Sequence, residues 1–381
     1  MHRAPPRYPI RVPKNIVICC DGTADEFGPT NSNVIKLYQT IVCGPEQVAY
    51  YHPGVGTMGA RSALTGFGRW WTRLLGLAFG YGLSDNVADA YQFLMRTWEP
   101  GDRLYLFGFS RGAYTARAVA GLLHLAGLLT SGNEALIPYA IRMARGRRID
   151  FEVADEFKRT FSRVCKPHFI GVWDTVTSVG WIYNAVRFAF TKAAGNPDLR
   201  IVRQAIAIDE RRAFFRHNLF GAPGDPDQDI AEVWFAGVHG DIGGNLPEAE
   251  TALSQIALRW MLGEAELAGL RVDRQRKADT LGGAPPHVPP DPTTPVQHRS
   301  ITGLWYLAEI LPKVMKREDP AGHWTSIIRP NLGRRRRIAD GALVHVSVEQ
   351  RLAAATVRYR PPNLPAVRRI VFDPPAPVGG P

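Results

Sequence analysis

Short apolar runs recur along the chain, each closed by a polar loop and followed by a stretch of helical spacing. Asn15 to Cys20 reads as a first buried strand, ending at Asp21-Gly22-Thr23. Asn33 to Val42 has the period of a helix, and Gln47 to Tyr51 is a second strand. Leu83 to Trp98 is a helix that leads into Arg103 to Phe107, a third strand of mostly apolar and aromatic residues. His168 to Trp173 is the next, closing on Asp174-Thr175, and residues 181 to 230 read as helical with loops. Val233 to Val238 is the fifth strand and closes on His239-Gly240-Asp241, before an amphipathic helix from Ser254 to Leu267. Strands alternating with helices predict an α/β fold: a mostly parallel, doubly wound sheet with helical insertions, of the α/β-hydrolase type.

In such a sheet the loops that follow the strands gather at one edge, where sites assemble. The third strand runs into Gly108-Phe-Ser-Arg-Gly112 and then an alanine-rich helix. This is the strand–turn–helix context of a nucleophile elbow, with Ser110 on a turn so sharp that its flanking positions must be glycine or nearly so. A serine hydroxyl is a poor nucleophile at neutral pH. It needs an imidazole to take its proton and a buried carboxylate to hold that ring's tautomer. Asp174 and His239, each after a buried strand, supply those groups. The Arg111 amide, at the start of the new helix, is one oxyanion donor, and the amide of Gly22 or Thr23 is the expected second. Asp21 and Asp241 are secondary candidates that shape their loops by accepting from backbone amides. His345, in Leu343-Val-His-Val-Ser347, competes with His239, because hydrolases usually carry the histidine after the last strand.

Composition narrows the picture little. The 381 residues are 45% hydrophobic, enough for a large core, and the net charge of +11 favours anionic partners. Arg334 to Arg337 reads as a solvated basic loop. Residues 54 to 82 mix glycines with Trp70, Trp71, Leu74 and Leu75, a pattern open to a mobile flap over a pocket or to ordinary packing of a short helix. The cysteines, Cys19, Cys20, Cys43 and Cys165, show neither metal-ligand nor disulfide spacing. The basic, proline-rich N-terminus lacks an apolar signal core. No apolar run approaches the roughly 20 residues of a membrane-spanning helix. The expectation is synthesis in the cytoplasm, with export left to a dedicated secretion system. Residues 14–270 are expected as the catalytic domain, 271–373 as a helical and loop extension packing on it, and 374–381 as a disordered tail.

Six blocks also resemble a known family. I-C-C-D-G-T near residue 20, N-S-N-V at 31, H-P-G-V-G-T at 52, G-F-S-R-G-A-Y-T-A-R at 108, G-V-W-D-T-V at 171 and W-F-A-G-V-H-G-D-I-G-G at 234 are similar to domain of unknown function 2235. That α/β-hydrolase-like family includes bacterial phospholipase effectors of type VI secretion. The similarity runs over about residues 14 to 262, with H-V-S-V-E-Q-R-L at 345 as a further block. By this resemblance Ser110, Asp174 and His239 are the triad of a bacterial lipid hydrolase. The expected activity is a serine esterase or lipase with no cofactor and no metal, acting on an ester or phospholipid, with an anionic membrane surface as partner and no nucleic acid. Two rivals remain open at this stage. One is a metal-dependent phosphoesterase built on Asp21, Asp174, His239 and Asp241; the other is a non-catalytic binding module on the same scaffold.

Overall fold

A computed structural model describes residues 11–22, 28, 30–54, 82–146, 148–176, 188–303, 305–310, 312–318 and 324–375. Trp70, Trp71, Leu74 and Leu75 of the expected flap, the tail beyond 375, and the oxyanion candidate Thr23 lie outside them.

Eight strands form one sheet: β1 Asn15–Cys20, β2 Gln47–His52, β3 Arg103–Phe109, β4 Pro167–Trp173, β5 Ile201–Ala207, β6 Asp229–Phe235, β7 Ala342–His345 and β8 Arg368–Val371. Their spatial order is β8-β7-β6-β5-β4-β3-β1-β2, and every neighbouring pair is parallel. The helices used below are α1 Asn33–Thr40, α2 Leu83–Thr97, α3 Ser110–Ala126, α4 Ile137–Arg145, α5 Phe151–Phe161, α6 His239–Gly243, α7 Ala252–Leu267, α8 Trp305–Ile310 and α9 Val346–Ala353.

Alternation along the strands divides the core. Ile16, Ile18, Leu104, Leu106, Ile170 and Val172 face α2, α3, α4 and α5. Their neighbours Val17, Cys19, Tyr105, Phe107, Phe169 and Trp173 face α1, α6 and α7 on the other side. Both faces are therefore covered, which is why the strands are continuous apolar runs rather than half-polar ones. The expected doubly wound sheet is the observed one. Strand order reverses between β1 and β3, and a ligand crevice in this architecture opens at the carboxyl ends of the strands at that reversal.

Two sequence expectations are corrected. Residues 201–207, placed within a helical stretch, form β5 at the middle of the sheet. Arg203 and Gln204 interrupt its apolar run, but both are satisfied: Arg203 pairs with Asp229 and Glu264, and buried Gln204 bonds Thr175 and the Asn218 carbonyl. The segment after residue 271 is also more than an extension resting on the core. Its strands β7 and β8 continue the sheet, β7 pairing with β6 through Leu343 opposite Val233.

Candidate active site

The site is built on the turn from β3 to α3. Ser110 has φ +57, a left-handed conformation unusual for a residue with a side chain and held only when its surroundings enforce it. The enforcement is steric. A Cβ on Gly112 would lie 2.1 Å from the Cys20 carbonyl oxygen and 2.4 Å from that of Asp21, so α3 starts hard against the end of β1. At Gly108 a Cβ would meet the Gly112 carbonyl at 2.5 Å. The two glycines of Gly-x-Ser-x-Gly are thus required by backbone contact on both sides of the serine.

Asp174 follows β4 with φ +39 and is wholly buried. Its amide donates to the Ala205 carbonyl, and the Val176 amide reaches the Ser110 carbonyl, tying this turn to the elbow. His239 opens α6, four residues beyond the end of β6. Its Nδ1 lies 2.5 Å from Asp174 Oδ2 and its Nε2 lies 2.9 Å from Ser110 Oγ. With the proton on Nδ1, the ring donates to Asp174 while Nε2 accepts from the serine hydroxyl. Phe109 and Phe215 pack on the imidazole at centroid distances of 4.6 and 4.7 Å, and the backbone amide of His239 donates to Glu210 Oε2.

The sequence reading missed Arg336. The run Arg334 to Arg337 was expected to be solvated, and three of its members are exposed, but Arg336 is buried against Asp174. Its Nη1 donates to Asp174 Oδ1 at 2.5 Å and its Nη2 to Oδ2 at 2.9 Å; the same nitrogens donate to the carbonyls of Ala207 and Phe215. An extended chain turns alternate residues inward, and here Arg336 and Ile338 are the inward pair. That alternation was the available signal, and the surrounding charge masked it. Glu210, also missed, is buried beside the site and accepts from Arg212 and the amides of Arg211 and Arg212.

These contacts set the charges. Burial pushes the Asp174 carboxyl up, but Arg336 and His239 outweigh it and hold the group well below the usual carboxylate range. His239 is lowered overall, because burial outweighs the support of Asp174. Both shifts favour a neutral imidazole beside an ionised carboxylate.

The remaining candidates have other partners. His345 is buried, stacks on Phe235 at 4.6 Å, and accepts from the Ser347 amide to cap α9. Its Nε2 lies 3.4 Å from Asp373, so it serves the edge of the sheet rather than Ser110. Asp21 accepts from Ser32 Oγ, Tyr51 Oη and the Gly22 amide at 2.7 Å, which commits that amide. Asp241 accepts from the Val238 amide and from His298 Nδ1 at 2.6 Å. Asp174 is filled by Arg336 and His239, so Asp21, Asp174, His239 and Asp241 do not converge as one ligand set. Among the described residues no cluster of three or more His, Cys, Asp or Glu side chains is placed to hold a metal.

Residues 14–264 match the family model of the type VI secretion phospholipase effector Tle1-like catalytic domain. The chain belongs to that family. The expected relation to the phospholipase effectors of type VI secretion therefore holds at the family level. An uncharacterized protein of Saccharomyces cerevisiae is 38% identical over 226 residues, covering 54% of this chain and 33% of its own length. The chain thus spans about a third of that curated relative. A yeast relative this similar weakens the expectation of a bacterial source. Two solved structures are also similar. An uncharacterized protein from Pseudomonas aeruginosa has a TM-score of 0.39 at 22% identity, covering 69% of this chain and 47% of its own. The Tle1 effector bound to the VgrG spike of the type 6 secretion system has a TM-score of 0.43 at 15% identity, covering 72% and 77%. Among the described residues no helix of this Tle1-like chain is long and apolar enough to cross a membrane.

Proposed function

We propose that this Tle1-like domain hydrolyses a carboxylic ester of a lipid, a phospholipid by preference, through an acyl-serine at Ser110. The observation that carries the reading is the hydrogen-bonded line from Ser110 through His239 to Asp174, three residues that follow the carboxyl ends of β3, β6 and β4. His239 takes the proton from Ser110 as the hydroxyl attacks the ester carbonyl, and returns it to the departing alkoxide. Water then attacks the acyl-serine with the same imidazole as base. Asp174 holds the ring and stabilises the imidazolium of each transition state. The Arg111 amide lies in the first turn of α3, at the positive end of the helix dipole, and is the first oxyanion donor. Of the two candidates for the second donor, the Gly22 amide is committed to Asp21, which leaves Thr23 as the one to test.

The substrate surface follows from charge and exposure. Helix α8 leaves Tyr306, Leu307 and Ile310 exposed at 60, 60 and 59%, and exposed Arg299 and Arg335 line a cavity with Tyr306 and Ile310. Its Trp305 packs edge-on to Phe215, the same ring that packs on His239. That cavity, of about 520 Å³, is lined by Arg211, His298, Arg299, Tyr306, Ile310 and Arg335, among others. Exposed apolar side chains next to a cavity that carries Arg211, Arg299 and Arg335, and reaches the candidate site at Val238, suit an anionic lipid surface better than a sugar or a peptide.

A fluorophosphonate probe is expected to label wild-type protein and not Ser110→Ala, with a chelator making no difference. A panel of phospholipids and water-soluble esters then ranks substrates. Labelling that persists in Ser110→Ala, or turnover abolished by chelation, overturns the acyl-serine reading.

A further inference from the structure

Arg336 is not a residue that serine-hydrolase chemistry requires, yet its guanidinium is buried on the carboxylate that the candidate base leans on. We propose that Arg336 is a positioning residue of the reaction: it fixes the Asp174 carboxylate against His239 and takes up part of its charge, which extends the pH range over which His239 acts as a base toward acid. The inference rests on the Ser110–His239–Asp174 reading above.

Geometry supports the first half. The fork of Arg336 meets both oxygens of Asp174, and its nitrogens also donate to the carbonyls of Ala207 and Phe215. The remaining donors to the carboxylate are His239 and the Ala207 amide at 3.0 Å. A planar, permanently charged group with two parallel donors fixes a carboxylate's orientation as a single ammonium cannot. Asp174 sits in a left-handed backbone conformation, which persists only where surrounding contacts such as these hold it.

Charge supports the second half. Asp174 faces His239 from the end of β4, Glu210 takes its backbone amide from the segment after β5, and Arg212 is clamped on Glu210. Arg336 completes the set from the segment before β7. His217, beside Arg336, is pushed down to about 4 by burial and by that arginine, and stays neutral. Asp241, on the helix of His239 itself, is engaged by His298, which also bonds Glu250. The immediate shell therefore holds two carboxylates and two guanidiniums, and it balances when the imidazole is neutral. Removing the charge of Arg336 leaves one negative charge in excess. Protonation of His239 would neutralise it, so the ring should hold its proton to higher pH.

The test is the pH dependence of kcat/KM on a water-soluble ester, read beside the rate of fluorophosphonate labelling of Ser110. In wild type the acid limb is expected below the ordinary imidazole value of about 6.5. In Arg336→Gln it should move up by about one pH unit or more, with kcat/KM down by about tenfold up to the roughly 10⁴-fold cost of disabling the triad carboxylate. Arg336→Lys, which keeps the charge but not the fork, should leave the limb near its wild-type position while kcat stays low. A limb that does not move in Arg336→Gln, with or without a fall in rate, overturns the proposal and leaves Arg336 a packing residue. Should Arg336→Gln fail to fold, the lysine variant decides: a limb displaced upward despite the retained charge overturns it, and a limb held in place supports it. A wild-type limb above 6.5 overturns it whatever the variants do. Failure of the underlying reading has a different signature, since Ser110 would then resist labelling at every pH and Ser110→Ala would keep its activity.

Discussion

At the scale of single residues, chemistry and stability are separable. Ser110 contributes a hydroxyl at a turn whose shape is fixed by glycines around it, so Ser110→Ala should cost roughly 10⁶ in kcat if the triad reading holds. Its unfolding free energy should change by less than about 1 kcal/mol; a melt paired with an ester assay checks both at once. His298 gives a second prediction. Asp241 chiefly, then Glu250, hold its imidazole up at about 9. A folded-state value above the unfolded one means that protonation stabilises the fold. The contribution is fully present below the unfolded value of about 6.5 and is lost as pH rises toward 9. Denaturant midpoints should therefore fall across that interval in wild type, and His298→Gln should flatten the fall. A midpoint that declines equally in both proteins would remove His298 as the cause.

Elements explain why those residues meet. The elbow works because α3 begins against β1 with no side chain between them. Gly112→Ala would force a Cβ to within 2.1 Å of the Cys20 carbonyl and push helix and strand apart. Over-packing at a contact made by two backbones should cost about 1–3 kcal/mol or more and move Ser110 away from His239. Reduced melting temperature together with loss of fluorophosphonate labelling is the expected outcome; an alanine variant with wild-type labelling would show that the turn relaxes freely. The loops after β4 and β6 work with the elbow, since parallel strands of a common sheet deliver their ends to one edge.

For the whole molecule, the segment from residue 271 onward supplies both sheet strands and a residue of the candidate site. It carries β7, β8 and Arg336, so a fragment ending at residue 270 would lose the guanidinium on Asp174 and leave the β6 edge uncovered. That fragment should aggregate or lack esterase activity, as size-exclusion chromatography and a soluble-ester assay would show. A monomeric, active fragment would prove the C-terminal strands dispensable. The net charge of +11 and the exposed apolar face of α8 give a prediction at the same scale. Phosphatidylglycerol vesicles should be hydrolysed faster than phosphatidylcholine vesicles, with salt narrowing the difference as it screens the arginines. Equal rates at every salt concentration, with rapid turnover of acetate esters, would point to a soluble short-chain substrate.

Sequence alone determined the alternating architecture and the elbow. Buried parallel strands must be apolar on both faces, and a turn forced into a left-handed serine must be flanked by glycine; both demands are local and leave a local trace. Asp174 and His239 were legible as candidates for the same reason, since each closes a buried strand. The choice between His239 and His345 rested on motif context, and geometry now puts the ring of His239, not His345, beside Ser110. Strand β5 was hidden because Arg203 and Gln204 find their partners on other elements, so the polarity that broke the apolar pattern is satisfied only in the folded chain. Arg336 was hidden for the converse reason. An arginine among arginines looks solvated until folding brings Asp174, 162 positions away in sequence, into its fork. Which charge in a cluster is buried depends on a distant partner's position, and only the tertiary structure supplies that.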